Sequence, residues 1–437
     1  MHDTICALAT APGGALGIIR ISGAQSLEIL SRIFTKDLTT AKANTIVYGH
    51  IADLDEVLVS VFRAPHSYTG EDCAEISCHG SRYIINKILE LLVQNGCRLA
   101  GPGEFTQRAY LNGKMDLSQA EAVADLIAST NKATHQMAMS QLRGGISSEL
   151  ARLREQLLKL TSLLELELDF SDHEDLEFAD RTELLELAQK IDTRITTLAH
   201  SFETGQAIKQ GIPVAIVGKT NVGKSTLLNA LLKDDRAIVS DIHGTTRDTI
   251  EDTIDIQGIT FRFIDTAGIR QTSDEVEQIG IERTYQAIEK ARIVLWLIDT
   301  APTAEELQSM QGQCKDKRLI ITFNKIDKAT TETPYLAISA KYGTNLDLLE
   351  HTIFEAADIP AFADTDVIVN NTRHYDALIR AQESIERVLE GLQQQLSGDL
   401  LAEDLRQTLD ILAEITGGQI TPQETLNNIF QHFCIGK

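Results

Sequence analysis

The period of the apolar residues shifts along the chain and divides it into four stretches. Up to residue 117, short apolar runs at Gly17 to Ile21, Val57 to Phe62 and Ala74 to Cys78 are separated by helical patterns such as Tyr83 to Gln94, which predicts a mixed α/β segment. Residues 118–208 lose that alternation. Ser118 to Ser129 and Ser147 to Leu168 are rich in Leu, Ala, Glu and Gln, carry apolar residues at helical spacing and contain no Pro or Gly, so helices are expected. Over residues 209–363, Val214 to Val217, Thr260 to Ile264, Ile293 to Ile298 and Leu319 to Phe323 read as buried strands at βαβ-like intervals. Helical spacing returns over residues 364–437. Leu378, Ala381, Ile385, Val388, Leu392 and Leu396 share one face, Leu401, Leu405, Leu409 and Leu412 the next, and Gly417-Gly418 stops that second helix. Thr421-Pro422-Gln423-Glu424 then supplies an N-cap, a first-turn proline and a capping-box acid for a last short helix. The expected architecture is multidomain: an α/β N-terminal domain (1–117), an all-α domain in two parts (118–208 and 364–437) and an inserted α/β domain (209–363). Two separate helical domains are the alternative.

Composition narrows the classes. The chain has 437 residues, and at about 150 residues per domain that length fits about three domains. A hydrophobic share of 43% with 24% charged residues is ordinary for folded protein. Forty Lys and Arg against 63 Asp and Glu leave a net charge of −23, which repels phosphate backbones and argues against simple electrostatic binding of nucleic acid. By segment the charge is −2, −8, −6 and −7, so the helical parts hold most of it and the N-terminal domain is nearly neutral. No apolar run approaches the ~20 residues of a membrane span. The N-terminus shows no basic region followed by a long apolar one, and the six cysteines form no C-x-x-C pair. A reducing, cytoplasmic setting without membrane contact is expected.

Candidate chemistry centres on Gly218-Lys219-Thr220-Asn221-Val222-Gly223-Lys224-Ser225, which matches G-x-x-x-x-G-K-[ST] between a strand run and the helical Thr226 to Lys233. Such a loop wraps phosphates with backbone N–H groups at a helix N-terminus, Lys224 reaching the β and γ oxygens and Ser225 holding Mg²⁺. Asn324-Lys325-Ile326-Asp327 follows another strand run, and Ser339-Ala340-Lys341 follows a further one. A carboxylate at Asp327 accepts from both the ring N–H and the exocyclic amine of guanine, a donor pair that adenine lacks, so GTP is expected over ATP. Asp265-Thr266-Ala267-Gly268 completes the set, Asp265 ending a strand where a metal-bound water is held and Gly268 facing the γ-phosphate.

This set is the signature of translation-factor-like G domains, with Gly244-Thr245-Thr246-Arg247-Asp248 as the first switch and Thr246 as its Mg²⁺ ligand. Ile269 stands where Ras-like enzymes place a water-orienting Gln, so another group must act. Asp274, Glu275 and Glu277 are candidates for the water and Arg270 for the developing charge, against the plainer reading of a solvated loop. Asn221 offers a carbonyl oxygen suited to a monovalent cation that would replace an arginine finger.

Together with Gly17-Ile18-Ile19-Arg20-Ile21-Ser22-Gly23, Tyr68-Thr69-Gly70-Glu71-Asp72, Glu75-Ile76-Ser77-Cys78-His79-Gly80, Pro102-Gly103-Glu104-Phe105-Thr106, the run Arg108 to Leu117 and the terminal Cys434-Ile435-Gly436-Lys437, the chain closely resembles the MnmE (TrmE) family of tRNA modification GTPases. The resemblance covers essentially the whole chain. It implies an N-terminal domain that dimerises and binds 5-formyl-tetrahydrofolate or a related one-carbon folate, with Arg20, Glu75 and Lys114 at the contact positions and Lys437 as a further one. It implies nucleotide contacts from Asn221 to Thr226, from Ser240 through Asp241, Ile242, His243, Gly244 and Thr245 to Thr246, from Asp265 to Gly268, and from Asn324, Lys325, Asp327, Ser339, Ala340 and Lys341. Potassium is implied at Asn221, Ser240, Ile242 and Thr245, water orientation by Glu277, and a part for Cys434 in the modification chemistry.

The implied activity is potassium-stimulated GTP hydrolysis. An FAD-dependent partner of the MnmG (GidA) family would join in adding an aminomethyl-type group to carbon 5 of the wobble uridine of certain tRNAs. A protein this acidic would reach tRNA mainly through that partner. The alternatives are a ribosome-assembly GTPase without modification chemistry, and a folate-binding one-carbon enzyme whose G domain is only regulatory.

Overall fold

The computed structural model describes residues 3–169, 181–234, 252–264, 285–328, 333–359, 366–418, 423–431 and 433–436. The chain forms two compact units, one of residues 1–128, 138–199 and 373–437, the other of residues 129–137 and 200–372.

The first unit begins with a six-stranded sheet of β1 (Thr4–Leu8), β2 (Leu16–Ser22), β3 (Thr45–Ile51), β4 (Asp55–Phe62), β5 (Cys73–His79) and β6 (Cys97–Leu99). Their order is β3-β4-β5-β2-β1-β6, antiparallel throughout except for the β1–β6 pair. Period-two alternation decides the faces. Val57, Val59 and Val61 of β4 and Ile19 and Ile21 of β2 turn inward, where α1 (Ser26–Ile33) and α2 (Arg82–Gln94) cover them with Leu27, Leu30, Ile88 and Leu92. On the opposite face Ile5 and Ala7 pack with Phe105 of α3 (Glu104–Leu111) and with Tyr68. Ala7 stands opposite Arg20, and Arg20 opposite Glu75, so both charged residues share that second face. Next come α4 (Leu117–Ala128), α5 (Lys132–Leu142), α6 (Gly145–Asp169) and α7 (Arg181–Gln210).

The second unit holds β7 (Ile212–Val217), α8 (Lys224–Asp234), β8 (Asp252–Ile256), β9 (Ile259–Phe263), β10 (Ile293–Ile298), α9 (Ala304–Gln313), β11 (Arg318–Phe323), β12 (Leu336–Ala337) and α10 (Leu346–Ala356). The strand order is β12-β11-β10-β7-β9-β8, with only β8 and β9 antiparallel. The unbroken apolar run of β10 has a direct cause: Ile293, Leu295 and Leu297 enter one core while Val294, Trp296 and Ile298 enter the other. Residues 129–137 belong to this unit through side and main chain. Asn131 Nδ2 donates to Thr260 Oγ1 at 2.7 Å, the Ala133 N–H to the Gly258 carbonyl at 3.0 Å, and Ala133 and Met137 join the core. The division between units therefore falls inside α5 and α7.

The chain re-enters the first unit at α11 (Thr372–Gln393), followed by α12 (Gly398–Thr416) and α13 (Gln423–Phe430). Ala377, Leu378, Ala381, Ile385, Val388 and Leu392 form the buried stripe of α11, whereas Leu396 lies past the helix end and is exposed. The α12 stripe runs through Leu401, Leu405, Thr408 and Leu412, which leaves Leu409 only half-buried. Thr421 and Pro422 lie outside the described residues. Three helices meet at Glu121. Its carboxylate accepts from Arg373 Nε at 3.0 Å and Nη2 at 2.9 Å and pairs with His374 Nε2 at 2.8 Å, while Arg373 also donates to the Glu414 and Ile415 carbonyls at the end of α12.

Candidate functional site

In the second unit the sequence motifs gather at the carboxyl ends of parallel strands, where ligands of open α/β sheets bind. Gly218 follows β7, Asp299 follows β10, Asn324 follows β11, and Ser339 comes just after β12. The loop closes with Asn221 at φ +62° and Gly223 at φ +106°, where a Cβ would lie 2.4 Å from Asn324 Nδ2. Gly223 is thus required by the approach of Asn324 as well as by its φ.

Asn324 binds the site together and is buried while doing so. Its Nδ2 donates to the Val222 carbonyl at 2.9 Å, and its Oδ1 accepts from the Ala340 N–H at 3.0 Å. Phosphate loop and both base-recognition segments therefore share one amide. Lys325, at φ +68°, sends Nζ to the Asn221 carbonyl at 2.7 Å and to Asp299 at 2.7 Å. Asp299 was not singled out from the sequence, although an acid directly after the run Ile293 to Ile298 marks a strand end at the site. Asp327 is exposed, and Ser339 Oγ donates to its Oδ1 at 2.7 Å. That bond orients a carboxylate able to accept two guanine N–H groups. Lys341 is exposed and lies 5.0 Å from the Tyr342 ring.

Lys224 Nζ donates to the Gly218 and Lys219 carbonyls at 2.7 and 2.9 Å, and burial holds its ammonium below the ordinary lysine range. Phosphate oxygens would bind it more strongly than neutral carbonyls, so the residue is poised to exchange partners. Ser225 sits in the first turn of α8 beside the exposed Thr226. Asn221 and Ser225 fit the oxygen-donor chemistry expected of potassium and magnesium sites. Ser240, Asp241, Ile242, His243, Gly244, Thr245 and Thr246 lie outside the described residues, as do Asp265, Thr266, Ala267, Gly268, Arg270, Glu277 and Lys437.

The first unit brings a second set together. Arg20 Nε and Nη2 meet Glu75 Oε1 at 2.9 and 2.8 Å, and Arg20 Nη1 donates to the Gly436 carbonyl at 3.2 Å. The chain end reaches Arg20 because residues 434–436 are sewn to the N-terminal domain. Ile435 bridges Pro102, the Gly103 N–H donates to the Cys434 carbonyl at 3.3 Å, and Gly436 at φ +95° would place a Cβ 2.3 Å from the Leu8 carbonyl oxygen. Cys434 is exposed on this docked tail. Lys114 Nζ donates instead to the Pro65 carbonyl at 2.9 Å. Two aromatic residues missed in the sequence flank Arg20: its guanidinium carbon lies 5.3 Å from the Tyr68 ring centre and 5.6 Å from that of Phe105. Tyr68 falls in Tyr68-Thr69-Gly70-Glu71-Asp72 and Phe105 in Pro102-Gly103-Glu104-Phe105-Thr106, but nothing local ties either to Arg20.

Residues 117–434 match the MnmE helical domain, and residues 4–114 match the GTP-binding protein TrmE N-terminus. The chain belongs to the MnmE (TrmE) family. As a member with an intact phosphate loop and guanine-recognition segments, it is a P-loop GTPase. The tRNA modification GTPase MnmE of Phocaeicola vulgatus is 54% identical over 495 residues, covering 100% of this chain and 99% of its own. That of Bacteroides thetaiotaomicron is 54% identical over 465 residues, with both chains fully covered. The protein of the same description from Porphyromonas gingivalis is 50% identical, covering 100% of this chain and 98% of its own. Among the described residues no helix is long and apolar enough to cross a membrane.

Proposed function

We propose that this chain is a tRNA modification GTPase that, with an FAD-dependent MnmG-family partner, modifies carbon 5 of the wobble uridine using a one-carbon folate. The observation that supports this most is identity of 54%, over 100% of this chain and 99% or more of theirs, to proteins described as tRNA modification GTPases. Hydrolysis is transfer of the γ-phosphoryl group of GTP to water, giving GDP and phosphate. Lys224 would pair with the β and γ oxygens, Ser225 and Thr246 would hold magnesium, Glu277 would orient the attacking water, and Arg270 would balance the developing charge. Asn221, Ser240, Ile242 and Thr245 would hold potassium, whose positive charge would take the place of an arginine finger. Faster hydrolysis in potassium than in sodium or lithium at matched ionic strength is the expected result; equal rates overturn the potassium assignment.

The folate reading rests on Arg20 and Glu75, paired on one sheet face with the docked tail beside them. A folate offers carboxylates for Arg20 and Lys114, with Lys437 as a further cation, and pterin N–H donors for Glu75. Cys434 acts from the tail, and a Cys434→Ser variant that still supports full modification overturns that role. Homodimerisation through the N-terminal sheet is supported by its open face, where Tyr48 and Leu58 stand cross-strand and exposed beside exposed Ile46. The protein works in the cytoplasm, and its net charge of −23 supports a division of labour in which the partner makes most tRNA phosphate contacts.

A further inference from the structure

Arg20 is held at its edge by Glu75, through Nε and Nη2, and by the Gly436 carbonyl, through Nη1, and these contacts leave the faces of the guanidinium to other groups. Tyr68 is one of them. Its ring lies within cation–π range of the guanidinium, and its hydroxyl is tied at 2.8 Å to Thr106 Oγ1 on α3, the helix that also brings Phe105 to Arg20. Thr106 is fully buried, so the far end of the Tyr68 ring has a fixed anchor.

The loop carrying Tyr68 is pinned as well. Ser67 Oγ donates to the Glu71 carbonyl at 2.6 Å, Asn112 Nδ2 to the Thr69 carbonyl at 2.7 Å, and Thr69 Oγ1 meets Ser22 Oγ at 2.7 Å. Lys114, the other assigned cation, donates to Pro65 in the same loop. One segment therefore sets the ring beside Arg20 and receives Lys114.

We infer that Tyr68 is a positioning residue, whose anchored ring fixes the orientation in which Arg20 meets the carboxylate of an anionic ligand. The inference rests on the folate reading of this site for the identity of that ligand, but the orientation of Arg20 can be measured without any ligand. Removing the ring should weaken binding about three- to thirty-fold, the range of a partly desolvated cation–π contact.

The full chain and its Tyr68→Phe, Tyr68→Leu and Arg20→Gln variants are titrated calorimetrically with 5-formyl-tetrahydrofolate. In parallel, the rate at which phenylglyoxal modifies Arg20 is followed by peptide mass spectrometry without ligand. Tyr68→Leu should lose affinity by that factor and expose Arg20 to faster modification, while Tyr68→Phe, which keeps the ring but loses the Thr106 anchor, should fall between the parent and Tyr68→Leu in both. Should the Leu variant not fold, Tyr68→Met, of similar reach and without a π face, replaces it. Parent-like modification of Arg20 in the Leu or Met variant overturns the inference, as does a Phe variant as impaired as the Leu one. If the parent and Arg20→Gln show no folate binding, the folate reading fails and the Arg20 modification rates alone decide the role of Tyr68.

Discussion

The Asn324 side chain donates to the Val222 carbonyl at 2.9 Å, so the residue that opens the base-recognition segment is built into the phosphate loop. Asn324→Ala leaves the Val222 carbonyl and the Ala340 N–H without this partner. At about 1–3 kcal/mol for buried groups left unpaired, GDP and GTP should both bind about five- to hundred-fold more weakly. Titration with a fluorescent guanine nucleotide checks this, and a loss confined to GTP would contradict it.

Asp327 is exposed and its carboxylate is oriented by Ser339 at 2.7 Å. Asp327→Asn puts an amide donor where guanine needs an acceptor, and xanthine, with a carbonyl in place of the exocyclic amine, accepts from it. The variant should bind GTP at least about 100-fold more weakly and prefer xanthosine triphosphate. Competition between the two nucleotides on the purified variant gives the answer.

Burial raises the Glu121 pKa, but hydrogen bonds and charge from His374 and Arg373 outweigh it and hold the carboxyl at about 2, against an unperturbed 4.5. A depressed carboxylate pKa contributes stability that is full above about 4.5 and lost as pH falls toward 2. Glu121→Gln leaves Arg373 without its counter-charge at about 3 kcal/mol. The first unit of the variant should melt earlier at pH 7, and the gap to the parent should narrow in acid. A constant gap from pH 7 to pH 3 would contradict this.

Gly436→Ala cannot keep its place, with φ at +95° and a Cβ 2.3 Å from the Leu8 carbonyl oxygen. The tail should leave the sheet while the rest of the fold stays intact. Carboxypeptidase should then remove the last residues faster than from the parent, at an unchanged melting temperature. Equal release rates would show that the tail is not held by this contact.

How legible each part was follows from how far its partners lie along the chain. Gly218 to Ser225, Asn324 to Asp327 and Ser339 to Lys341 do their work over a few residues each, so spacing alone identified them. The Arg20–Glu75 pair depends on antiparallel register across 55 positions, and the Arg20–Gly436 contact on a separation of 416. Family resemblance pointed to Arg20 and Glu75, but neither periodicity nor spacing reveals Tyr68, Phe105 or the Glu121–Arg373–His374 cluster. Strand β1 is not marked by alternation because Thr4 to Ala7 are buried on both faces, and β6, at three residues, is too short for a period to show. Strand β3 escaped because its open face displays Ile46 and Tyr48, which blurs the apolar-in, polar-out signal. The α11 stripe was legible up to Leu392 and overshot at Leu396, where the helix has already ended.

The most direct test of the central claim is mass analysis of wobble uridines in tRNA from a strain lacking this protein, complemented with the parent chain or with Lys224→Ala. The account predicts that the carbon-5 modification disappears, returns with the parent chain and does not return with the variant. Unaltered uridines in the deletion strain would contradict it.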